Sequence, residues 1–178
     1  MEKLSEQQAL ALLRRHAPSE ASYDLLLRHV QTVKEVAVRI ARQCPGVDVD
    51  FVRSAALLHD IGRFRYPPGK GSIRHGIEGG KMLRKEGLPA HARVCETHIG
   101  VGISREDIEK QGLPLPKEDF LPQTKEEVII SYADNLVAYD VEKDIDYVID
   151  RFRKELGEEY VRRVKDQHRL VRGWMDVR

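Results

Sequence analysis

An all-α fold is predicted by three observations. Apolar residues recur at helical spacing through nearly the whole chain. No stretch alternates convincingly as a strand. Ser, Thr or Asp stands ahead of most periodic runs, and Gly or Pro closes them. The 178 residues suit one domain, and a 41% hydrophobic content supplies its core. Although 33% of residues are charged, the net charge is only +1, so anion binding has to come from a local patch. A nucleic-acid partner is therefore not expected. Cys44 and Cys95 make neither a CxxC motif nor a disulfide framework. With no signal-like leader and no run of 18 apolar residues, a cytoplasmic protein away from membranes is expected.

Ser5 can cap a short first helix with Ala9, Leu12 and Leu13 on one face. After Pro18 and Ser19 a long helix runs to about Cys44, with Leu26, His29, Val30, Val33, Ala37 and Ile40 on one stripe. Pro45 and Gly46 end it. Asp48 or Asp50 caps the next helix, which carries Val52, Ala55, Ala56 and His59 and is stopped by Gly62. His75 opens a helix to about Glu86, Pro89 opens one reaching His98, and Ser104 opens a short one to about Gln111. Residues 112–124, GLPLPKEDFLPQT, read as a loop. Thr124 with Glu127 reads as a capping box for the helix that carries Asp134. From about residue 143, two densely charged helices share a face of Leu156, Tyr160, Val164, Val171 and Trp174. The expected organisation is one domain over 1–178, with a core of about 20–142 and helices from about 143–178 covering it.

Ligand-type side chains recur on apolar faces. His29, the adjacent pair His59 and Asp60, and Asp134 in SYADNLVAYD each sit among aliphatic residues at helical spacing. A buried carboxylate there needs a cation or several donors. Three apolar helices presenting such groups suggest a shared cation. Imidazole with carboxylate suits Zn, Fe, Mn, Co or Ni better than calcium. His29, His59, Asp60 and Asp134 would make one metal site, and Asp60 with His75 and His98 (in RHGIEGG and THIGVG) a second. Between Asp60 and His75 lie Arg63, Arg65, Lys70 and Arg74 and no acid. His16 and His168 read as solvated, His91 as structural or exposed, Cys95 as core, and Asp107 and Asp140 as surface or capping residues. Tyr132 and Asn135, flanking Asp134, could reach a substrate or pack.

His29, then HDIG at 59–62, then Asp134 in YADN: this ordered set resembles the HD-domain superfamily of metal-dependent phosphohydrolases, over about residues 20–142. The resemblance implies a compact helical bundle. It implies a first divalent metal on His29, His59, Asp60 and Asp134, and, as in binuclear members, a second on Asp60, His75 and His98. Many HDIG proteins continue with a lysine that contacts substrate phosphate; Arg63 stands there in this chain. The GYP signature of cyclic-dinucleotide phosphodiesterases is missing, which disfavours that substrate.

The function so implied is hydrolysis of a phosphate ester, of a nucleotide or another small phosphorylated metabolite, by a metal-activated hydroxide. Two ions, drawn from Mn, Fe, Ni, Co, Zn or Mg, are the expected cofactors. Asp60 and Arg63 are the expected catalytic residues, and Arg63, Lys70 and Arg74 the expected phosphate contacts. Two alternatives share the ligands: an HD-fold di-iron oxygenase, and a catalytically silent ligand-binding or regulatory HD module.

Overall fold

The computed structural model describes residues 4–69 and 71–176. It is helical almost throughout: α1 Glu6–His16, α2 Glu20–Ala41, α3 Val49–Leu58, α4 His75–Lys85, α5 Pro89–Thr97, α6 Arg105–Gln111, α7 Lys125–Asn135, α8 Ile145–Leu156 and α9 Glu158–Met175. Local chemistry sets most of these limits. Ser5, Ser19, Asp48, Ser104, Thr124 and Asp144 each accept a backbone N–H of the first turn behind them.

Four expectations need correction. Two short strands exist, β1 Val137–Ala138 and β2 Val141–Glu142, paired antiparallel across Tyr139 and Asp140. Gly62 does not stop α3, which ends at Leu58; it lies in a 3-10 turn, Ile61–Phe64. Glu127 leaves the Thr124 amide alone, accepting instead from the Gln123 amide at 2.8 Å and from Arg93. Leu156 is 43% exposed, so the covering face is Val148, Phe152, Val161, Val164 and Val171, with Tyr160 and Trp174 half-buried against it. The 112–124 loop is pinned by reciprocal backbone hydrogen bonds between Ile103 and Phe120, at 3.0 and 2.8 Å.

The apolar interior forms three clusters. One joins the C-terminal half of α2 to α3, α7, α8 and α9. A second joins α1 and the N-terminal half of α2 to α4 and the inner face of α5. A small third holds Ile103, Ile108 and Phe120. Their seams fall beside the ligand-type residues. On α2, Val30 belongs to the second cluster and Val33 to the first, with His29 next to the boundary. Along α3, Ala56 faces one and Leu57 and Leu58 the other, just before His59. Polar side chains gather where these apolar faces part.

Asp107 is more than a surface cap. It is buried, and its carboxylate accepts from Ser104 at the start of α6, from the Tyr160 hydroxyl at 2.7 Å and from Arg163 at 2.7 Å. Burial opposes its ionisation, yet Arg163 and these donors hold its pKa well below the usual carboxylate range. This anchors α9 to α6 through a paired charge.

Candidate metal centre

Four histidines and two aspartates converge. His29 Nε2 lies 3.1 Å from Asp134 Oδ1 and 3.7 Å from Asp60 Oδ2. His59 Nε2 is 3.4 Å from Asp134 Oδ1. Asp60 Oδ1 faces His75 Nε2 at 3.0 Å and His98 Nε2 at 3.3 Å, and those two nitrogens stand 3.1 Å apart. Asp60 thus turns one oxygen to each half of the cluster.

The tautomers follow from the backbone. Each imidazole donates its Nδ1–H to a carbonyl: His29 to Tyr139 at 2.6 Å, His59 to Ala56 at 2.7 Å, His75 to Ser72 at 2.6 Å and His98 to Cys95 at 2.7 Å. A carbonyl only accepts, so Nδ1 carries the hydrogen and a neutral ring presents Nε2 as a lone pair. Three of the four use one local device. His59, His75 and His98 each follow a helical segment and reach back three residues to a carbonyl in its last turn. His29, in mid-helix, has no such carbonyl and takes that of Tyr139 from the β1–β2 turn.

With every ring neutral, acceptors would face acceptors across the cluster. His59 Nε2 is fully buried with no hydrogen-bond partner among the described residues. That arrangement calls for positive charge. Burial alone would keep His29 neutral, but Asp134 and Asp60 outweigh it and raise its pKa to about 9. Burial likewise opposes ionisation of Asp60 and Asp134, and the surrounding histidines hold both well below the usual carboxylate range. His98 is pushed down by burial and by His59 and His75, against the pull of Asp60. The residues fit a divalent cation on two grounds: an orphaned buried nitrogen and a donor set of imidazole and carboxylate. Ligand atoms of His29, His59 and Asp134, and again of His59, Asp60 and His98, lie within 4.8 Å of one another.

The basic residues are arranged less tightly. Arg63 Nε stands 3.3 Å from both oxygens of Asp60. Arg65 is exposed and pairs with Glu78. Arg74 is exposed in the 3-10 turn immediately before His75. Lys70 lies outside the described residues. Tyr132 packs instead of facing the cluster, bonding His168 Nδ1 at 2.7 Å, so His168 is not simply solvated. Asn135 donates to the Gly100 carbonyl at 2.6 Å and accepts from Arg151, tying the turn after His98 to α7 and α8. A cleft of about 440 Å³ lined by Arg39, Tyr132, His168 and Arg172 includes none of the six clustered residues.

His91 stays outside the cluster and is structural. It is 1% exposed, bonded to Ser54 Oγ at 2.9 Å, with its edge on Phe51. Burial lowers its pKa from 6.5 to about 4. An unfolded chain would protonate this ring near pH 6.5 and the folded one only near 4, so its contribution is complete above 6.5 and lost as pH falls through that window. His91→Leu should therefore flatten the stability slope between pH 6.5 and 4 by up to about 1.4 kcal/mol per pH unit. Urea unfolding of both proteins at pH 6.5 and 5 measures it.

The model of the HD domain matches residues 26–139. The chain belongs to the HD-domain family. By fold, this HD domain is similar to the HD domain of the L. monocytogenes phosphodiesterase PgpH, with a TM-score of 0.54 at 18% identity over 93% of this chain and 96% of that one. The same domain in complex with cyclic-di-AMP also gives 0.54, over 96% and 97%. By sequence, it is 38% identical over 93% of its length to a Thermoplasma volcanium protein named tRNA (cytidine(56)-2'-O)-methyltransferase, covering 46% of that protein. A Methanocaldococcus jannaschii protein named as uncharacterized is 43% identical over 71% of this chain and 72% of its own. The chain thus spans about half the length of the methyltransferase-named relative. HD-domain membership supports a metal-dependent phosphohydrolase fold, and the likeness to PgpH is one of fold. No helix among the described residues is long and apolar enough to cross a membrane.

Proposed function

We propose that this HD domain hydrolyses a phosphate ester of a nucleotide or a similarly small phosphorylated metabolite, using two divalent ions. His29, His59, Asp60 and Asp134 would hold one ion, and Asp60, His75 and His98 the other. The supporting observation is the orphaned, buried His59 Nε2 set among inward-facing imidazole nitrogens and carboxylate oxygens. Bound ions would supply an acidified water and neutralise charge on the phosphoryl group. The chain's own part is orientation: four carbonyls fix the imidazoles, and Asp60 bridges the two halves. Arg63 is pre-positioned by Asp60 to meet a phosphoryl oxygen, with Arg74 and Lys70 in the same basic segment as further phosphate contacts. Two buried, unpaired cysteines suit a reducing, cytoplasmic setting.

Methyl transfer, in the name of the Thermoplasma volcanium relative, is read as belonging to the half of that protein outside the match. Six cation-type ligands have no part in it. In that relative the matched region shares a chain named for tRNA modification, which favours a nucleotide over an unrelated ester.

Phosphate release from a panel of phosphate esters, with Mn, Fe, Co, Ni, Zn or Mg added and oxygen excluded, tests the proposal. Metal-dependent release is expected. In a parallel aerobic assay, oxygen consumption without phosphate release would move the reading to the di-iron oxygenase. Arg63→Ala should cost about 10- to 100-fold in kcat/KM while metal content stays constant. Unchanged kinetics would remove Arg63 from the reaction.

A further inference from the structure

Among the described residues, Tyr139 is the one non-glycine residue with positive φ, at 61°. It takes the first central position of a two-residue hairpin turn, where glycine is the usual occupant. Its carbonyl has a task there, accepting Nδ1–H of His29. The ring does not share it, and a glycine would supply the same carbonyl without strain. Instead a large aromatic side chain stands 91% exposed. Leu25, one helical turn ahead of His29 on the same face of α2, is 68% exposed. Two uncovered apolar side chains thus flank the His29 end of the cluster. The opposite chemistry marks the other end, where Arg63 meets Asp60 and Arg74 precedes His75.

We propose that Tyr139, together with Leu25, forms the base-stacking lip of the site, selecting a nucleotide whose phosphate lies toward Arg63. This rests on the phosphohydrolase reading of the same cluster. A flat π-face suits any nucleobase, so the lip selects for a base more than among bases. Backbone strain retained at a functional rim accounts for a tyrosine where local structure favours glycine. Tyr139 acts on binding, so its loss falls on KM.

AMP and ribose 5-phosphate carry the same phosphate on the same sugar and differ by the base. Binding of each to the Mn-loaded protein by calorimetry, together with phosphate release, tests the proposal. Tyr139→Gly and Tyr139→Asn keep the carbonyl and tolerate the φ, so their melting temperatures should not fall. Both should weaken AMP about tenfold in Kd and KM, with kcat within about threefold and ribose 5-phosphate affinity unaltered. Tyr139→Phe should restore AMP affinity. Equal affinity of the unaltered protein for the two probes, or AMP affinity that survives Tyr139→Gly, overturns the proposal, the latter also when that variant changes the oligomeric state. Tyr139-dependent AMP binding without phosphate release keeps the lip and removes the hydrolase. Hydrolysis of both probes with equal KM does the reverse.

Discussion

Asp60→Asn should abolish turnover, by about a thousandfold or more, roughly 4 kcal/mol of transition-state stabilisation. Asp60 is the one carboxylate facing both halves of the cluster. Its Oδ1 meets His75 and His98 while Oδ2 looks to His29, and Arg63 spans both oxygens. Asparagine keeps the shape but replaces one oxygen by a donor and removes the bridging charge. The new amide can satisfy an inward lone pair, so the metal-free fold should survive with a melting temperature near that of the unaltered protein. The gain in stability on adding metal should shrink, since that gain tracks affinity. Kinetics and metal content on the same preparation measure both effects. Full turnover with unchanged metal content would exclude Asp60 as the bridge.

Gly62→Ala should be the most disruptive small substitution. A Cβ at Gly62 would run into the His75 carbonyl oxygen and lie 2.7 Å from the Gly79 amide nitrogen. Both neighbours are backbone, so no side chain can rotate away. The 3-10 turn after Asp60 touches the first turn of α4 at this point, and α4 carries His75. Separating them should cost about 3 kcal/mol or more, lowering the melting temperature by about 6–12 °C at this chain length, and should displace His75 before the rest of the fold gives way. Gly173→Ala is the control. Nothing lies within 4 Å of its Cβ, and it sits within α9, so it should be neutral or stabilising by up to about 1 kcal/mol. Thermal unfolding of the two variants separates a packing effect from a generic loss of glycine.

The helices were legible because their limits are local. Ser5, Ser19, Ser104 and Thr124 cap what the periodicity outlines. The order of His29, His59, Asp60 and Asp134 was legible because such groups on apolar faces need one another. The hairpin was hidden because Tyr139 stands where a turn-forming glycine would have signalled it. With it was hidden the carbonyl that aims His29. The device shared by His59, His75 and His98 had a readable trace, since each stands at the end of a helical segment; the lone-pair orientation it fixes needs the backbone path. Asp107 looked like an ordinary cap because Tyr160 and Arg163, which bury it, lie 53 and 56 positions away. Contacts at that separation leave no periodic mark.

The claim that six side chains form one divalent-metal centre is tested most directly by ion stoichiometry. Protein purified without chelator and reconstituted with Mn or Co should carry two ions per chain. His75→Ala should carry one, and His29→Ala together with Asp134→Asn should lose the other. A folded, unaltered protein that binds no ion tightly, or variants that bind as many as it does, would contradict the claim.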